Sequence, residues 1–310
     1  MLTLLVTGAT DGIGRETARE LLANGRRVLV HGRTRERAER TIAALAREQP
    51  DSACDAVWAD LSRMGEVVEL AAQVRALAPA LDVLINNAGV YEDHRELTED
   101  GFERTMAVNH FAPFLLTHRL LPVLHAASAA RVVTVSSIAH QSGQIDPDDL
   151  EFERGFSGYG AYAASKLANV LFTFELARRQ ADTRVSANCL HPGVIATKLL
   201  HKGFGVRGAA VTEGARTSVF LAIADAVRQE RPVFRRLPRG SALPDRARCA
   251  TRREALGGER ATALAVPVKI VCTSREGTPP SCSPISEQSP PRGGDWRFVA
   301  PRQCAEQHSA

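Results

Sequence analysis

The chain has 310 residues, of which 44% are hydrophobic, enough for one doubly wound domain with chain to spare. No run of about 18 apolar residues is present to span a bilayer, and Met1 to Val6 lacks the charged start and long apolar run of a signal peptide, so a cytoplasmic protein is expected. The net charge of +4 divides unevenly: residues 230–310 hold 14 Lys/Arg against 8 Asp/Glu, and residues 1–229 hold 25 against 27.

In chain order, Leu2 to Val6 is an apolar, partly β-branched run, followed by Thr7-Gly8-Ala9-Thr10-Asp11-Gly12-Ile13-Gly14 and the amphipathic stretch Arg15 to Asn24. That reads as strand, glycine-rich turn, helix. Glycines 8, 12 and 14 let the backbone approach a pyrophosphate, whose charge is attracted by the free N–H groups at the helix start. A second strand, Arg27 to Val30, runs into His31-Gly32-Arg33, and a third, Ala56 to Ala59, into Asp60-Leu61. Leu81 to Ile85 leads into Asn86-Asn87-Ala88-Gly89, where a cofactor ring fits against small residues. Val132 to Val135 delivers Ser136-Ser137, and Val185 to Leu190 delivers His191-Pro192-Gly193. Open parallel sheets bind ligands at the carboxyl ends of their strands, so these segments should converge on one crevice.

Tyr162-Ala163-Ala164-Ser165-Lys166 places a phenol and an ammonium four residues apart, on one helix face. A fixed positive charge beside a phenol lowers its pKa from about 10 and makes it a usable acid or base. Tyr159 has Ala163 at the same spacing, which leaves Tyr162 as the candidate. Six cysteines without C-x-x-C spacing and nine histidines without H-E-x-x-H give no support to a metal site.

Taken together, T-G-x-x-x-G-x-G, N-N-A-G, a serine after the fifth strand, Y-x-x-x-K and P-G occur in the order found in the short-chain dehydrogenase/reductase family, which residues 2–228 resemble. The long stretch between Ser137 and Tyr162, His31-Gly32-Arg33 and His191-Pro192-Gly193-Val194 resemble its retinol-dehydrogenase-like branch. The resemblance implies an α/β fold with a doubly wound, Rossmann-type parallel sheet. It also implies hydride transfer between NADP(H) or NAD(H) and a small carbonyl or alcohol substrate of apolar character, with no nucleic-acid partner. Carried over by motif, Tyr162 is the acid/base, Lys166 lowers its pKa and holds the nicotinamide ribose, Ser137 binds the substrate oxygen, with Ser136 as the competing serine, and Asn109 completes the tetrad. Thr7, Gly8, Asp11, Gly12, Ile13, Gly14, Asn87, Ala88 and Gly89 belong to the cofactor site. Pro192, Gly193 and Thr197 resemble the clamp on the nicotinamide carboxamide, and Lys198 to Val211 reads as a substrate lid.

Charge argues for NADP(H). The position after the second strand carries no carboxylate to hold a ribose hydroxyl, and Arg33 can pair with a 2′-phosphate and stack on adenine. Asp11 opposes this, and Arg33 to Arg40 also reads as a charged helix face. Asp60 resembles the family acid at the adenine, and equally a loop-turn aspartate, with Leu61 beside it. A nucleotide-binding protein without turnover is the rival reading.

The chain divides by composition into 1–229, the dehydrogenase-like domain, and 230–310, a basic tail with ten of the 16 prolines and four of the six cysteines. By composition the tail is expected to be of low order. Permitted codons for Glu230 to Pro238, read one nucleotide later, spell S-G-R-Y-F-V-D-C, and those for Arg253 to Ala261 spell A-R-R-W-E-V-S-E. These words resemble the strand and helix that follow in the branch. The expectation is a change of frame near residue 229, with the last native strand and closing helix missing, which puts a homo-oligomer in doubt. Val233 and Phe234 offer a short substitute strand, confined by Pro232 and Pro238 to an edge.

Overall fold

The structure, a computed structural model, describes residues 1–224 and the backbone of Phe234–Arg235. All of them lie in the first of two units into which the chain divides, Met1–Thr251 and Arg252–Ala310. The expectations for the remainder of 230–310 fall outside the described residues.

Six strands and their connecting helices alternate along the chain. β1 (Thr3–Val6) leads into α1 (Gly12–Ala23), β2 (Arg27–Gly32) into α2 (Arg35–Glu48), and β3 (Cys54–Trp58) into α3 (Met64–Leu77). β4 (Val83–Asn86) is followed by a short α4 (Arg104–Met106), a π-helical turn over Ala107–Phe111 and α5 (Ala112–Ala126). β5 (Ala130–Val135), α6 (Gly158–Arg179), β6 (Val185–Leu190), α7 (Lys198–Phe204) and α8 (Val211–Ile223) complete the series. Every pairing is parallel, in the order β3-β2-β1-β4-β5-β6-β7.

Here β7 is the two-residue pair Phe234–Arg235, set against Cys189 and Leu190 of β6 at the sheet edge. It overlaps the short edge strand expected at Val233 and Phe234 by one residue. The first helix begins at Gly12, earlier than the expected Arg15, because the Asp11 carboxylate accepts from Gly12 N–H and caps it.

Strands buried on both faces need apolar residues at consecutive positions, and Leu4, Leu5 and Val6 of β1 are all fully buried. Leu5 packs in a core that also holds Leu70 of α3, Leu116 of α5 and Phe172 of α6. Leu4 and Val6 pack on the opposite core with Leu21 of α1, Leu45 of α2 and Val219 of α8. The sheet is thus covered on both sides. The chain winds outward from β1 to β3, then returns to the other side of β1 for β4. That reversal opens a crevice at the carboxyl ends of β1 and β4, where the glycine turn and the Asn-Asn-Ala-Gly segment both fall.

Candidate active site

One cleft, about 600 Å3 in volume, runs across these strand ends. It lies within the range for small-molecule and cofactor sites. Its walls include Gly8, Asp11, Gly12, Ile13, Gly14, Arg33, Asp60, Leu61, Asn87, Ala88, Gly89, Ser137, Tyr162, Lys166, Pro192, Gly193 and Thr197. Two of the expected residues do not reach the wall and sit behind it.

Thr7 is buried beneath the glycine turn. Its hydroxyl donates to the Ile85 carbonyl (3.3 Å) and accepts from the N–H groups of Asn87 (2.9 Å) and Ala88 (3.1 Å). Asn87 returns the contact, donating from Nδ2 to the Thr7 carbonyl at 2.8 Å. Thr7 therefore joins two loops and does not itself line the cleft. Asn109, fully buried in the π-helical turn, accepts from Val90 N–H at 2.8 Å and donates to the Val90 carbonyl and to Ser165 Oγ, both at 3.0 Å. Its place is support for the Asn87–Val90 segment, and π-turns inside helices are frequent at functional sites.

The glycine turn has the form an anionic group needs. Gly8 and Gly12 have φ of 62° and 53°, in the left-handed region where side chains are strained. Gly14 has no room for a Cβ, which would collide with the Gly8 carbonyl oxygen and Asn87 Nδ2. His31, invisible as a site residue in the sequence, holds this turn from below: Nδ1 accepts from Gly8 N–H (3.0 Å) and Nε2–H donates to the Ala59 carbonyl (3.1 Å). Complete burial pushes its pKa down to about 4, so it is neutral near pH 7.

Asp11 spends its charge locally. It caps α1 and pairs with Lys198 at 2.5 Å, and that lysine holds its pKa below the ordinary value. Asp60 is shaped as a turn aspartate: burial raises its pKa, but the Ser62 N–H and hydroxyl, accepted at 2.9 and 2.7 Å, bring it below the ordinary value. Arg33 stands 3.9 Å from Asp60, half-exposed, and Arg37 lines the same end of the cleft. Arg37 was hidden in the sequence by its place in a charged helix; its i+4 spacing from Arg33 was the available signal.

At the other end, the Ser137 hydroxyl stands close enough to Tyr162 to favour its ionised form, while Ser136 Oγ donates to the Lys166 carbonyl at 2.7 Å. Both serines line the cleft, but their hydroxyls have different tasks: Ser137 lies towards Tyr162 and Ser136 anchors α6. Lys166 Nζ donates to the Val135 carbonyl at 3.2 Å and lies 5.5 Å from the centre of the Tyr162 ring.

The expected lowering of the Tyr162 pKa is not what the structure gives. Burial pushes the phenol up to about 12, against the opposing effect of the Ser137 hydroxyl and with Tyr159 adding to the rise. Lys166 is itself pushed down to about 8 by burial. Desolvation outweighs charge here because the ammonium is turned to a backbone carbonyl rather than to the phenol oxygen. At neutral pH the pair is a neutral phenol beside a cation.

Residues 2–204 match the family model for short chain dehydrogenase. The chain belongs to the short-chain dehydrogenase family. Within that family it is similar to human retinol dehydrogenase 14, 42% identical over 246 residues, covering 71% of this chain and 73% of that protein. Mouse polyprenol dehydrogenase is 40% identical over 238 residues, with 71% of each chain covered. Among solved structures, an Escherichia coli CFT073 protein complexed with NADPH superposes with a TM-score of 0.63 at 28% identity, over 75% of this chain and 95% of that one. A Shigella flexneri protein complexed with NADP gives a TM-score of 0.62 at 27% identity over 75% and 95%. The branch resembling retinol dehydrogenases is the one this short-chain dehydrogenase joins. Among its described residues no helix is long and apolar enough to cross a membrane, and no cluster of His, Cys, Asp or Glu could hold a metal ion.

Proposed function

We propose that the protein is an NADP(H)-dependent oxidoreductase acting between a carbonyl and an alcohol of apolar character. The observation that carries this is the joining of a phosphate-accepting glycine turn and the Ser137–Tyr162–Lys166 group in one cleft. A bound nicotinamide cofactor supplies or accepts the hydride. The glycine turn and the start of α1 would hold its pyrophosphate, Arg33 and Arg37 a 2′-phosphate, and Pro192, Gly193 and Thr197 its nicotinamide end.

Ser137 Oγ orients the substrate oxygen. Tyr162, neutral at pH 7, donates its phenolic proton to that oxygen in reduction and takes it back in oxidation. The Lys166 cation, held in place by the Val135 carbonyl, stabilises the phenolate left after donation. Asn109 keeps Val90 and the neighbouring Gly89 in position; a Cβ on Gly89 would lie 3.4 Å from both Asn109 Oδ1 and Lys166 Nζ. Val90, Ile138, Tyr159, Leu199 and Phe204 give the substrate end an apolar wall, which favours an apolar substrate.

The test is Tyr162→Phe. Turnover across a panel of carbonyl substrates is lost, while NADPH binding followed by fluorescence is retained, because the hydroxyl supplies a proton and little cofactor contact. Reduction by Tyr162→Phe at a rate near wild type would overturn the acid/base assignment. NADPH binding by the unmodified protein with no turnover on any substrate would instead favour a nucleotide-binding protein without catalysis.

A further inference from the structure

We propose that Glu92 and Lys202 are positioning residues that seat α7 over Tyr162, with Lys198 and Asp11 as a second, weaker tie at the helix start. The dipeptide Tyr91-Glu92 follows directly on the Asn-Asn-Ala-Gly segment and meets three other elements. The Glu92 carboxylate, mostly buried, pairs with Lys202 of α7 and with Arg104 of α4, the latter at 3.3 Å. Tyr91 packs its ring against α7 so closely that a Cβ on Gly203 would stand 2.8 Å from Tyr91 Cγ. The start of α6 also abuts this dipeptide, since a Cβ on Gly158 would collide with the Glu92 carbonyl oxygen.

The apolar side of the same contact lies on the reacting centre. Phe204, the last residue of α7, has its ring 5.7 Å from that of Tyr162 and 5.5 Å from that of Tyr91, and Tyr91 lies 5.9 Å from Tyr162. Shifting α7 therefore uncovers the phenol. At the other end of the helix, Lys198 Nζ meets Asp11 Oδ2 at 2.5 Å, and Thr197 Cγ2 lies 3.5 Å from where a Cβ on Gly12 would be. The ion pairs thus tie α7 at its two ends, one to the glycine turn and one to the segment after β4. Lys198 is far more exposed than the Glu92 carboxylate, and exposed pairs contribute little, so the Glu92 tie dominates. α7 is anchored by charge at both ends and by aromatic rings at its carboxyl end, and opening it requires both to part.

The inference uses the acid/base reading of Tyr162 only for its consequence in turnover, and its test needs no substrate. Amide hydrogen exchange of residues 198–204 in the full chain, referenced to α1, is compared among variants. Lys202→Met speeds exchange in α7 about fivefold and leaves α1 unchanged, and Lys198→Met has a smaller effect. Glu92→Lys is also fast, and the exchanged pair Glu92→Lys with Lys202→Glu returns towards wild type, as does the conservative Lys202→Arg. The wild-type advantage over Lys202→Met narrows as salt is raised. Wild-type exchange in Lys202→Met, or an increase shared equally by α1, would overturn the proposal, as would failure of the exchanged pair to slow α7 relative to Glu92→Lys alone.

Discussion

Acidification should draw stability from this protein through two buried histidines. His31 and His110 are both pushed down to about 4 by burial, from an ordinary value of 6.5. Each is neutral in the native state, His31 between Gly8 and Ala59 and His110 against Asn169 Oδ1 at 3.3 Å. The unfolded chain takes up protons at these rings from about pH 6.5 downward, and the folded chain does so only near 4. Their stabilisation is therefore complete above about 6.5 and is lost as the pH falls to about 4. At about 1.4 kcal/mol per pKa unit the full effect is about 3 kcal/mol for each histidine, of which about 2 is lost by pH 5. Glu103 and Glu151, raised by burial, act with the opposite sign, so the total slope alone does not isolate a histidine. The informative perturbation is His31→Gln, which keeps a polar side chain and removes the titration. Chemical denaturation at about pH 7.5 and pH 5 should show the variant losing about 2 kcal/mol less than wild type over this interval. Equal losses in the two proteins would refute the reasoning.

Arg33→Asp should shift cofactor preference from NADPH towards NADH, since a charge-assisted phosphate contact is worth roughly 1.5–3 kcal/mol, or one to two powers of ten in affinity; equal affinity of the unmodified protein for the two cofactors would contradict the assignment. Gly14→Ala should cost about 1–3 kcal/mol of stability by overpacking and weaken NADPH binding. Gly65→Ala, in α3 with nothing within 4 Å of the added carbon, should gain about 0.5–1 kcal/mol; the two thermal midpoints, measured side by side, should move in opposite directions. Reduction should hold steady to about pH 7 and decline above about 8 as Lys166 loses its proton, whereas a kcat profile flat to pH 10 would remove Lys166 from the chemistry. For the tail, replacing residues 230–310 by the reading one nucleotide later should raise the thermal midpoint, and an unchanged or lowered midpoint would count against a change of frame near residue 229.

What was legible in the sequence was whatever repeats locally. Fully buried parallel strands are continuous apolar runs, and the turns that follow them bear glycine, asparagine or serine, so the sheet and the loops at its carboxyl ends could be read off in order. The Y-x-x-x-K spacing gave the helix face. Contacts distant in sequence were not legible. Glu92 and Lys202 are 110 positions apart, and nothing in either neighbourhood marks them as partners. His31 looks like any histidine at a strand end until its two ring nitrogens are seen between Gly8 and Ala59. The π-helical turn at Asn109 leaves no periodic signature, because one extra residue in a turn does not alter the apolar pattern enough to be noticed. The pKa of Tyr162 was misjudged for a related reason: spacing gives proximity to Lys166, but only packing gives the depth of burial, and depth decided the direction.

The single hydroxyl of Thr7 has a consequence for anyone wishing to rebuild this site. Set at the start of the glycine turn, it bonds both the Ile85 carbonyl of β4 and the N–H groups of the loop that follows β4, and Asn87 answers it with a bond of its own. Those two loops are therefore one mechanical part, although some eighty residues separate them along the chain. A chimera that imports a foreign glycine turn without its matching partner loop leaves backbone N–H groups without an acceptor, and one that exchanges both together carries the whole joint across intact.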